Sequence, residues 1–552
     1  MKNIKKKSQI NLIWDIDDLP IKFPLKIRDA YEKIYLKNRK IYTNWVDKNG
    51  KKFSGNIDWW MTSPSFRNPY VSRLLNYFSV IDTLKTLKNE NIKIFTDSEV
   101  FGKIIKDKLG NVNVEIHLKK NTRGSVAKLK NYLKSTIYQL IIFGLIKILK
   151  KKEEVSNKKL VLIDKFVTLN QSQNLGYYPK FLNTKNIRIV PTFIPTLNLF
   201  NLIKIFNYLK KNDHKFLYKE QYLKLNDLYF SFTHVFRRKK FFNQKFFYNK
   251  INISSLIHDE LESYIDFYSI NNGLLNYKFF YRLSKDNVDI FKSFNWFENQ
   301  IIDKGWNLGF RKYFPKNEHN SYGYQDFNKH FNLISNSPSS LEKTSRVTPY
   351  KIIIISNYFK KITNEFAKSQ KVIVAQSERF KKLIKAKISP LKKRNKILII
   401  LSGIRNIDKA LIDLIKKVCS RNKKILAFVK PHPILNINQI IEEKNLPTNL
   451  IVCEEDLKKI LNKSLIAITA GPSSALLESV SFRTYNILPE IECGTDMNAK
   501  IFNLNKNEYS LVRNSNELLK VINHITKNKK KIKVLKRTII NPKFKKLDNF
   551  IN

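Results

Sequence analysis

Cysteine is scarce in this chain of 552 residues, which contains only Cys419, Cys453 and Cys493. Their spacing suits neither a disulfide framework nor a cysteine-ligated metal site, and this excludes the disulfide-stapled class. The first residues, MKNIKKKSQINLIWDIDD, are basic but lack the apolar run of a secretory signal. The composition therefore predicts a protein of a reducing compartment with a cytoplasmic location.

Long apolar runs are also missing, since no stretch reaches the roughly 18 to 20 uncharged residues that a membrane-spanning helix needs. The nearest approach is IYQLIIFGLI, residues 137–146, which lies between Lys134 and a second lysine cluster. Such a run is typical of a helix lying in the membrane interface, and equally of a core helix with solvated ends. The first alternative predicts a peripheral protein on the anionic inner face of the cytoplasmic membrane.

Acidic residues are the next deficit, with 46 Asp and Glu against 102 Lys and Arg and a formal net charge of +56. A charge of this size normally indicates nucleic acid or an anionic membrane as the partner. No helix-turn-helix, zinc-finger or RNP-type motif is present, and lysine is spread along the chain beside abundant isoleucine and asparagine. We therefore predict no nucleic-acid partner, and we expect a lipid or a nucleotide phosphate as the anionic partner.

The length favours two or three domains. Strand-like and helix-like segments alternate in the first 120 residues and again from residue 386, as in parallel sheets with helical crossovers. The basic, proline-containing stretch 385–396 is the best linker. The sequence thus predicts an α/β fold with an N-terminal Rossmann-like domain (1–385), a C-terminal Rossmann-like domain (386–525) and a basic tail (526–552). A helical basic insertion at about 119–159 interrupts the first domain.

Two C-terminal motifs combine groups that are suited to anion binding. In FVKPHP, His432 lies between two prolines that restrict the backbone, and Lys430 precedes it. In AITAGPSSALLES, a strand ends at Gly471, and we predict Ser473 and Ser474 in the first turn of a helix, where unpaired N–H groups attract phosphate. Ordinary serine capping and a structural histidine are the alternatives.

Both motifs follow predicted strands of one domain, and the loop LSGIRN follows a third strand. Because the carboxyl ends of parallel strands form a ligand-binding edge, we predict that the three loops meet at one anionic group. Gly403 would let the backbone approach the ligand closely, and Arg405 would add a donor. Glu478, one helical turn beyond Ser474, would accept hydrogen bonds from ribose hydroxyls or would be a solvated helix glutamate.

An HP motif followed about forty residues later by an SS motif resembles the bacterial GT-B glycosyltransferases that use CMP-activated sugars, including sialyl-, polysialyl- and Kdo-transferases. The opening third, with WDIDDLPIKFPLKIRDAY and IDWWMTSPSFRNPY, is similar to a group of surface-carbohydrate biosynthesis proteins. The resemblance implies a GT-B-like fold, in which two Rossmann-like domains face each other across a cleft. It also implies that His432 and the serine pair hold the nucleotide phosphate.

An acidic general base is expected in the N-terminal domain of this family. WFENQIIDKGW is similar to the Tyr/Phe-Glu segment of capsule and surface-polysaccharide transferases, which implies Glu298 as the base, although Glu-Asn-Gln replaces the D/E-D/E-G motif of sialyltransferases. A carboxylate in a partly desolvated cleft suits the deprotonation of an acceptor hydroxyl. His432, Lys430 and a helix N-terminus would stabilise charge on the leaving phosphate with no metal.

The resemblance implies an inverting, metal-independent glycosyltransferase that needs no cofactor besides its nucleotide-sugar donor, with CMP favoured. Its acceptor would be a glycan or a lipid-linked acceptor in capsule, O-antigen or lipopolysaccharide biosynthesis. The K-x-H-P motif with a serine pair also occurs in polyol-phosphate transferases, so a CDP-glycerol or CDP-ribitol donor is the alternative. A third hypothesis is a non-catalytic protein that binds anionic ligands at the membrane surface.

The N-terminal third adds two candidate acceptor-binding groups. Asp15 and Asp17 follow the first predicted strand. We expect an acceptor-binding role or solvated loop carboxylates there, because the downstream partners of a phosphatase-like nucleophile or metal site are missing. Trp59 and Trp60 stand beside polar turn residues and would stack on a sugar ring, with core packing as the favoured alternative.

Overall fold

Three parallel β-sheets and one short antiparallel hairpin organise the described part of the chain in this computed structural model. The flanks of the predicted insertion, residues 120–124 and 150–158, and the linker residue 385 lie outside the described residues. The structure describes residues 12–108, 114–119, 125–149, 159–167, 186–194, 199–211, 216–264, 266–384, 386–433, 437–440, 446–537 and 539–551.

The first sheet is small and has three parallel strands in the order β1-β2-β3. Leu12 of β1 lies opposite Ile92 of β2, and the buried positions of β2 alternate with half-buried ones, so one face is packed. The long helix α1 contains no proline and packs against α4. The elements are β1 (Leu12–Asp15), α1 (Leu25–Gly50), α2 (Ile57–Trp60), α3 (Ser63–Phe66), α4 (Leu74–Thr86), β2 (Ile92–Thr96), α5 (Glu99–Lys108) and β3 (Val114–Leu118).

Helices dominate the described residues between 125 and 285, where β4 and β5 are the first two strands of the second sheet. The predicted helical insertion forms α6, which is the one helix among the described residues that is long and apolar enough to cross a membrane by length and composition. The elements are α6 (Ser125–Leu149), β4 (Leu160–Val167), β5 (Ile187–Phe193), α7 (Leu199–Lys211), α8 (Lys219–Tyr222), α9 (Leu225–Phe232), α10 (His234–Arg237), the hairpin β6 (Phe247–Tyr248) and β7 (Ile251–Asn252), α11 (Ser254–Ser263) and α12 (Phe267–Lys285).

The second sheet has six parallel strands in the order β11-β10-β9-β8-β4-β5. The chain adds β5 on one side of β4 and then crosses to the other side for β8 to β11, so the winding reverses between β4 and β8. Such a reversal is the topological switch point of a doubly wound sheet. The remaining elements are β8 (Ile290–Trp296), α13 (Ile301–Tyr313), β9 (Ser321–Gln325), α14 (Ser340–Thr344), β10 (Lys351–Ile354), α15 (Lys360–Thr363), β11 (Lys371–Val374) and α16 (Lys381–Ile384).

The third sheet also has six parallel strands, in the order β14-β13-β12-β15-β16-β17. Its winding reverses between β12 and β15, where the chain returns past β12 to build the other half. The elements are β12 (Lys396–Ile400), α17 (Arg405–Arg421), β13 (Ala427–Lys430), β14 (Leu450–Val452), α18 (Leu457–Lys463), β15 (Ser464–Thr469), α19 (Ala475–Ser481), β16 (Tyr485–Pro489), α20 (Thr495–Ile501), β17 (Tyr509–Val512), α21 (Ser515–Lys527) and α22 (Asp548–Ile551).

A buried ionic cluster joins the first two parts of the chain. Glu342 accepts from Arg67 at 2.6 Å and forms an ion pair with Lys304 at 2.9 Å, and all three side chains are at most 1% exposed. Burial alone would raise the pKa of Glu342, but the two cations outweigh it and lower the pKa to about 2. The C-terminal tail returns to the second sheet, where Lys292 donates to the carbonyl oxygen of Phe550 at 3.1 Å.

The structure confirms the predicted α/β fold with two Rossmann-like domains, formed by the second and third sheets. The carboxyl edges of these two sheets contact each other, as the GT-B resemblance implies: Asn328 after β9 donates to the carbonyl oxygen of Ser473 after β15 at 2.9 Å. One feature differs from the expectation. Strands β1, β2 and β3 form a sheet of their own, whereas β4, which follows α6, belongs to the second sheet.

Candidate functional site

The candidate site lies at the switch point of the third sheet. The loops after β12 and β15 run to opposite sides there, which leaves a crevice at the carboxyl ends of the strands. The loop after β13, which carries His432, is the next one along the same edge. The three predicted motifs therefore follow three adjacent strands.

The loop after β12 is fixed by Asp408 in the first turn of α17. Its carboxylate accepts from the backbone N–H of Ser402 at 2.7 Å and from that of Gly403 at 2.8 Å. Gly403 has φ +86°, and a Cβ there would lie 2.7 Å from Nδ1 of His432. The absent side chain thus makes room for the imidazole. The Gly403 N–H is already occupied, and the close approach of this backbone to a ligand stays a prediction.

His432 is half-buried at the end of the strand that leads into Lys-Pro-His-Pro. Burial lowers the pKa of its imidazole; Asp408 raises this pKa and Arg379 lowers it. The net lowering favours a neutral ring near pH 7 in the ligand-free protein. A bound anion would favour the charged form, so the ring can take up a proton as an anionic ligand enters.

The loop after β15 turns sharply at Gly471, which has φ +71° and packs against Ser402 of the neighbouring loop, with its Cβ position 3.0 Å from that side chain. Helix α19 begins at Ala475, after both serines, and not at the preceding proline. The prediction that Ser473 and Ser474 lie in the first turn is therefore wrong. The hydroxyl of Ser473 instead accepts from the N–H of Ala475 at 3.1 Å, which is a local serine turn one residue before the N-cap, Ser474.

Lys430 and Arg405 are the other two cations that the sequence predicts at the phosphate. Lys430 donates its ammonium to the carbonyl oxygen of Glu454 at 3.0 Å, toward the β14 side of the sheet. The prediction that it accompanies His432 at the phosphate is wrong in this structure, because the carbonyl oxygen of Glu454, just after β14, holds the ammonium. Arg405 is exposed at the first position of α17.

Arg379, from the loop after β11, lies across the interface from the predicted site. Burial raises the pKa of Glu478, and Arg379 is close enough to offset part of that rise. Arg379 is also close enough to His432 to contribute to the lowering of its pKa. Asp326, which is fully buried after β9, holds this loop by accepting from the N–H of Arg379 at 2.8 Å. No motif marks Arg379 in the sequence, since its role depends on contact between two domains.

Glu298 follows β8, beside the switch point of the second sheet, as predicted. Its carboxylate accepts from Nε1 of Trp296 at 2.8 Å and from Nε2 of Gln300 at 2.7 Å, and it remains half-buried. The turn is held by Asn299, which has φ +57° and donates to the buried Glu342 at 3.1 Å. The carboxylate is therefore held in a defined position beside an ordered turn.

Asp15 and Asp17 belong to an ionic cluster at the carboxyl edge of the first sheet. Lys119 lies 2.6 Å from Asp15 and 3.0 Å from Asp17, and Arg73 lies 3.1 Å from Asp17. Asp17 and Arg73 also line a cavity of about 280 Å³ that reaches Asn406 at the start of α17. The cavity lies between the first sheet and the third and has room for a monosaccharide.

Trp59 and Trp60 are 0% and 1% exposed in the core around α1. The indole N–H of Trp60 donates to the carbonyl oxygen of Ser54 at 2.9 Å. Neither ring reaches a surface where a sugar could stack, so the prediction that they bind the acceptor is wrong. Core packing, the alternative, is what the structure has.

Two other spaces lie between the second and third sheets. Around Ser473, Asn328 and His330 the interface leaves only about 20 Å³, so a donor nucleotide has no room on that side of the loop. A cavity of about 580 Å³ lies beside α20 and is lined by Tyr358 and Lys500. It contains none of the predicted residues and lies beyond β16, away from the switch point, so we do not place the donor there. Among the described residues, no three His, Cys, Asp or Glu side chains are grouped as metal ligands.

No protein-family model matches this chain. No curated protein matches it either. Solved structures resemble it at low identity: MurG of Acinetobacter baumannii is 10% identical, with 67% of this chain and 91% of that chain covered and a TM-score of 0.35. The UGT89C1 of Arabidopsis thaliana, in complex with UDP, is 10% identical, with 68% and 94% covered and a TM-score of 0.37. WaaG, a glycosyltransferase involved in lipopolysaccharide biosynthesis, is 8% identical, with 67% and 91% covered and a TM-score of 0.29.

Proposed function

We propose that this chain is a glycosyltransferase that binds a nucleotide-sugar donor at the switch point of the third sheet. The observation that carries the proposal is the convergence of the three loops, in which the imidazole of His432 packs on Gly403 and Gly471 packs on Ser402. A crevice of this kind is the ligand-binding position of open α/β sheets. The proposed phosphate side is the face toward His432, Glu478 and Arg379, since the opposite face is closed.

The leaving nucleotide gains negative charge as the glycosidic bond breaks. His432, held between two prolines, would donate a hydrogen bond to that phosphate without first having to be ordered. Arg379 would add a permanent cation from the other domain. The glycosyl group would pass to an acceptor hydroxyl whose proton goes to Glu298, with inversion at the anomeric carbon.

CMP is the donor nucleotide that we favour, on the resemblance of the HP and SS motifs, with CDP-glycerol as the alternative donor. The acceptor proposal is a glycan or a lipid-linked acceptor, in capsule, O-antigen or lipopolysaccharide biosynthesis. The cavity at Asp17 and Arg73 supports a saccharide on the acceptor side, because it combines carboxylate, guanidinium and amide groups. Reaction without a metal is part of the same proposal.

A binding screen over CMP, CDP, UDP, GDP, their sugars and CDP-glycerol tests the proposal. We expect one nucleotide class to raise the unfolding temperature of the wild type. His432→Ala should weaken its binding at least tenfold, because the preorganised donor is lost. Lys430→Ala is the matched control: it removes a cation two residues away that points to Glu454, and should change binding less than twofold.

The outcomes separate the hypotheses. Radiolabelled sugar transferred from the stabilising donor supports glycosyl transfer, whereas transfer of a phosphopolyol from CDP-glycerol replaces it with the alternative. If the wild type binds no nucleotide, or if His432→Ala keeps full turnover, the donor-site proposal is wrong. Equal loss in the His432 and Lys430 variants would show a general charge effect instead of a built site.

A further inference from the structure

Helix α6 exposes an apolar stripe along nearly its whole length. Soluble proteins normally place charged side chains on the outer face of a surface helix. A contiguous exposed apolar surface instead marks a docking site. The apolar residues of this stripe recur at intervals of three, four or eight residues, which places their side chains on one face of the helix. The α6 stripe consists of six side chains that are between 44% and 82% exposed: Val126, Leu129, Leu133, Ile137, Leu140 and Ile148.

The opposite face of α6 is fixed to the protein. Ser135, Gln139, Ile142 and Ile146 are buried there. Asn271 of α12 donates to the hydroxyl of Ser135 at 3.1 Å. A helix that crossed a bilayer would have to abandon this polar contact and expose two polar side chains to hydrocarbon. The helix, about 37 Å long at 1.5 Å per residue, therefore lies along the surface of the domain.

The charged side chains of α6 and α7 themselves are all basic, although Asp259 of α11 interacts with Lys128 of α6. Neither α6 nor α7 contains Asp or Glu. Lys130 and Lys134 are exposed beside the stripe. Helix α7 packs into the same core cluster as α6 and exposes Phe200 and Ile203, with the ammonium of Lys204 4.2 Å from the Phe200 ring centre. Apolar side chains flanked by lysines, on two helices that carry no carboxylate of their own, match the interface of an anionic bilayer.

We propose that the α6 stripe and the exposed end of α7 dock on an anionic lipid bilayer, with α6 lying in the plane of the interface. The apolar side chains enter the boundary between headgroups and acyl chains, and the lysines contact the lipid phosphates. The proposal does not depend on the reaction proposed above, because it concerns residues outside the three site loops.

Vesicle sedimentation of the full chain tests the docking surface. The probes are phosphatidylcholine vesicles with and without about one third phosphatidylglycerol. We expect binding to the anionic vesicles, weakened at least tenfold by high salt or by leaving out phosphatidylglycerol. Leu133→Glu/Ile137→Glu/Leu140→Glu should reduce binding at least tenfold. The control Leu25→Glu/Leu426→Glu changes two leucines that are exposed elsewhere and should bind like the wild type.

Unfolding temperature and nucleotide binding in the absence of vesicles should be unchanged in the triple variant, which separates docking from folding and from the donor site. Equal binding of the triple variant and the control would overturn the proposal. So would resistance of the bound protein to alkaline carbonate, which indicates a spanning helix. Self-association in solution that the triple variant abolishes, with no vesicle binding, would overturn it in favour of a second copy of the chain.

Discussion

Replacing Gly403 by alanine tests the contact on which the proposed donor site depends. The residue has φ +86°, and the new methyl carbon would lie 2.7 Å from Nδ1 of His432. A left-handed backbone costs an ordinary residue about 1–2 kcal/mol. Moving the imidazole off its rotamer adds about 0.5–1.5 kcal/mol. We therefore expect Gly403→Ala to lower the free energy of unfolding by about 1.5–3.5 kcal/mol.

His432→Ala separates these two contributions. Without the ring the methyl group meets no imidazole, so Gly403→Ala should then cost only the backbone part, about 1–2 kcal/mol. Urea unfolding of the four proteins measures the difference as a double-mutant cycle. Gly494→Ala, at φ +72° outside the donor loops, is the matched control and should show no coupling to His432. An equal cost of Gly403→Ala in both backgrounds would refute the packing of the imidazole on the glycine.

Three further predictions follow from the described contacts. Calorimetric titration should show that donor binding tightens as pH falls through neutrality, by up to about tenfold per unit, because burial lowers the pKa of free His432 and a bound anion raises it. His432→Ala should lose that dependence, and its persistence would contradict the assignment. Glu298→Gln should lower kcat by about 10²- to 10⁴-fold with the donor Kd unchanged; a weaker donor Kd with normal kcat would exclude the base. Glu342→Gln should destabilise the protein by about 3–5 kcal/mol in chemical denaturation, because Arg67 and Lys304 stay buried beside a neutral amide; a loss below about 1 kcal/mol would contradict this account.

The two large sheets could be predicted because their strands are continuous apolar runs separated by helical periodicity. KILII, residues 396–400, and KIII, residues 351–354, each form a parallel strand. The separate first sheet could not be predicted, since strand signals carry no information about which sheet a strand joins. The chain passes from the first sheet to the second through α6. The packing face of α6 is known only from its contacts with helices such as α12.

In the candidate site, prediction succeeded for the ends of the strands and failed for the start of α19 and for side-chain direction. The strand-end positions of His432, Gly471 and Glu298 follow from pattern alone. Lys430 shows the limit, because strand pairing decides whether its ammonium points to the crevice or to Glu454. Trp59 shows a second limit, because a tryptophan next to polar residues looks the same in sequence whether it is exposed or buried.

The charge that matters at the proposed donor site is small and is shared by two domains. Although the chain carries a formal net charge of +56, Lys430 points away and burial lowers the pKa of His432. Arg379 is a permanent cation that acts on both Glu478 and His432, and Asp326 holds it from the other sheet. Anion binding there would therefore depend on the contact between the two carboxyl edges, since separating the domains would remove Arg379 from His432. A phosphate bound between the two domains would in turn favour their closed arrangement, because a ligand shifts the equilibrium toward the state that binds it more tightly.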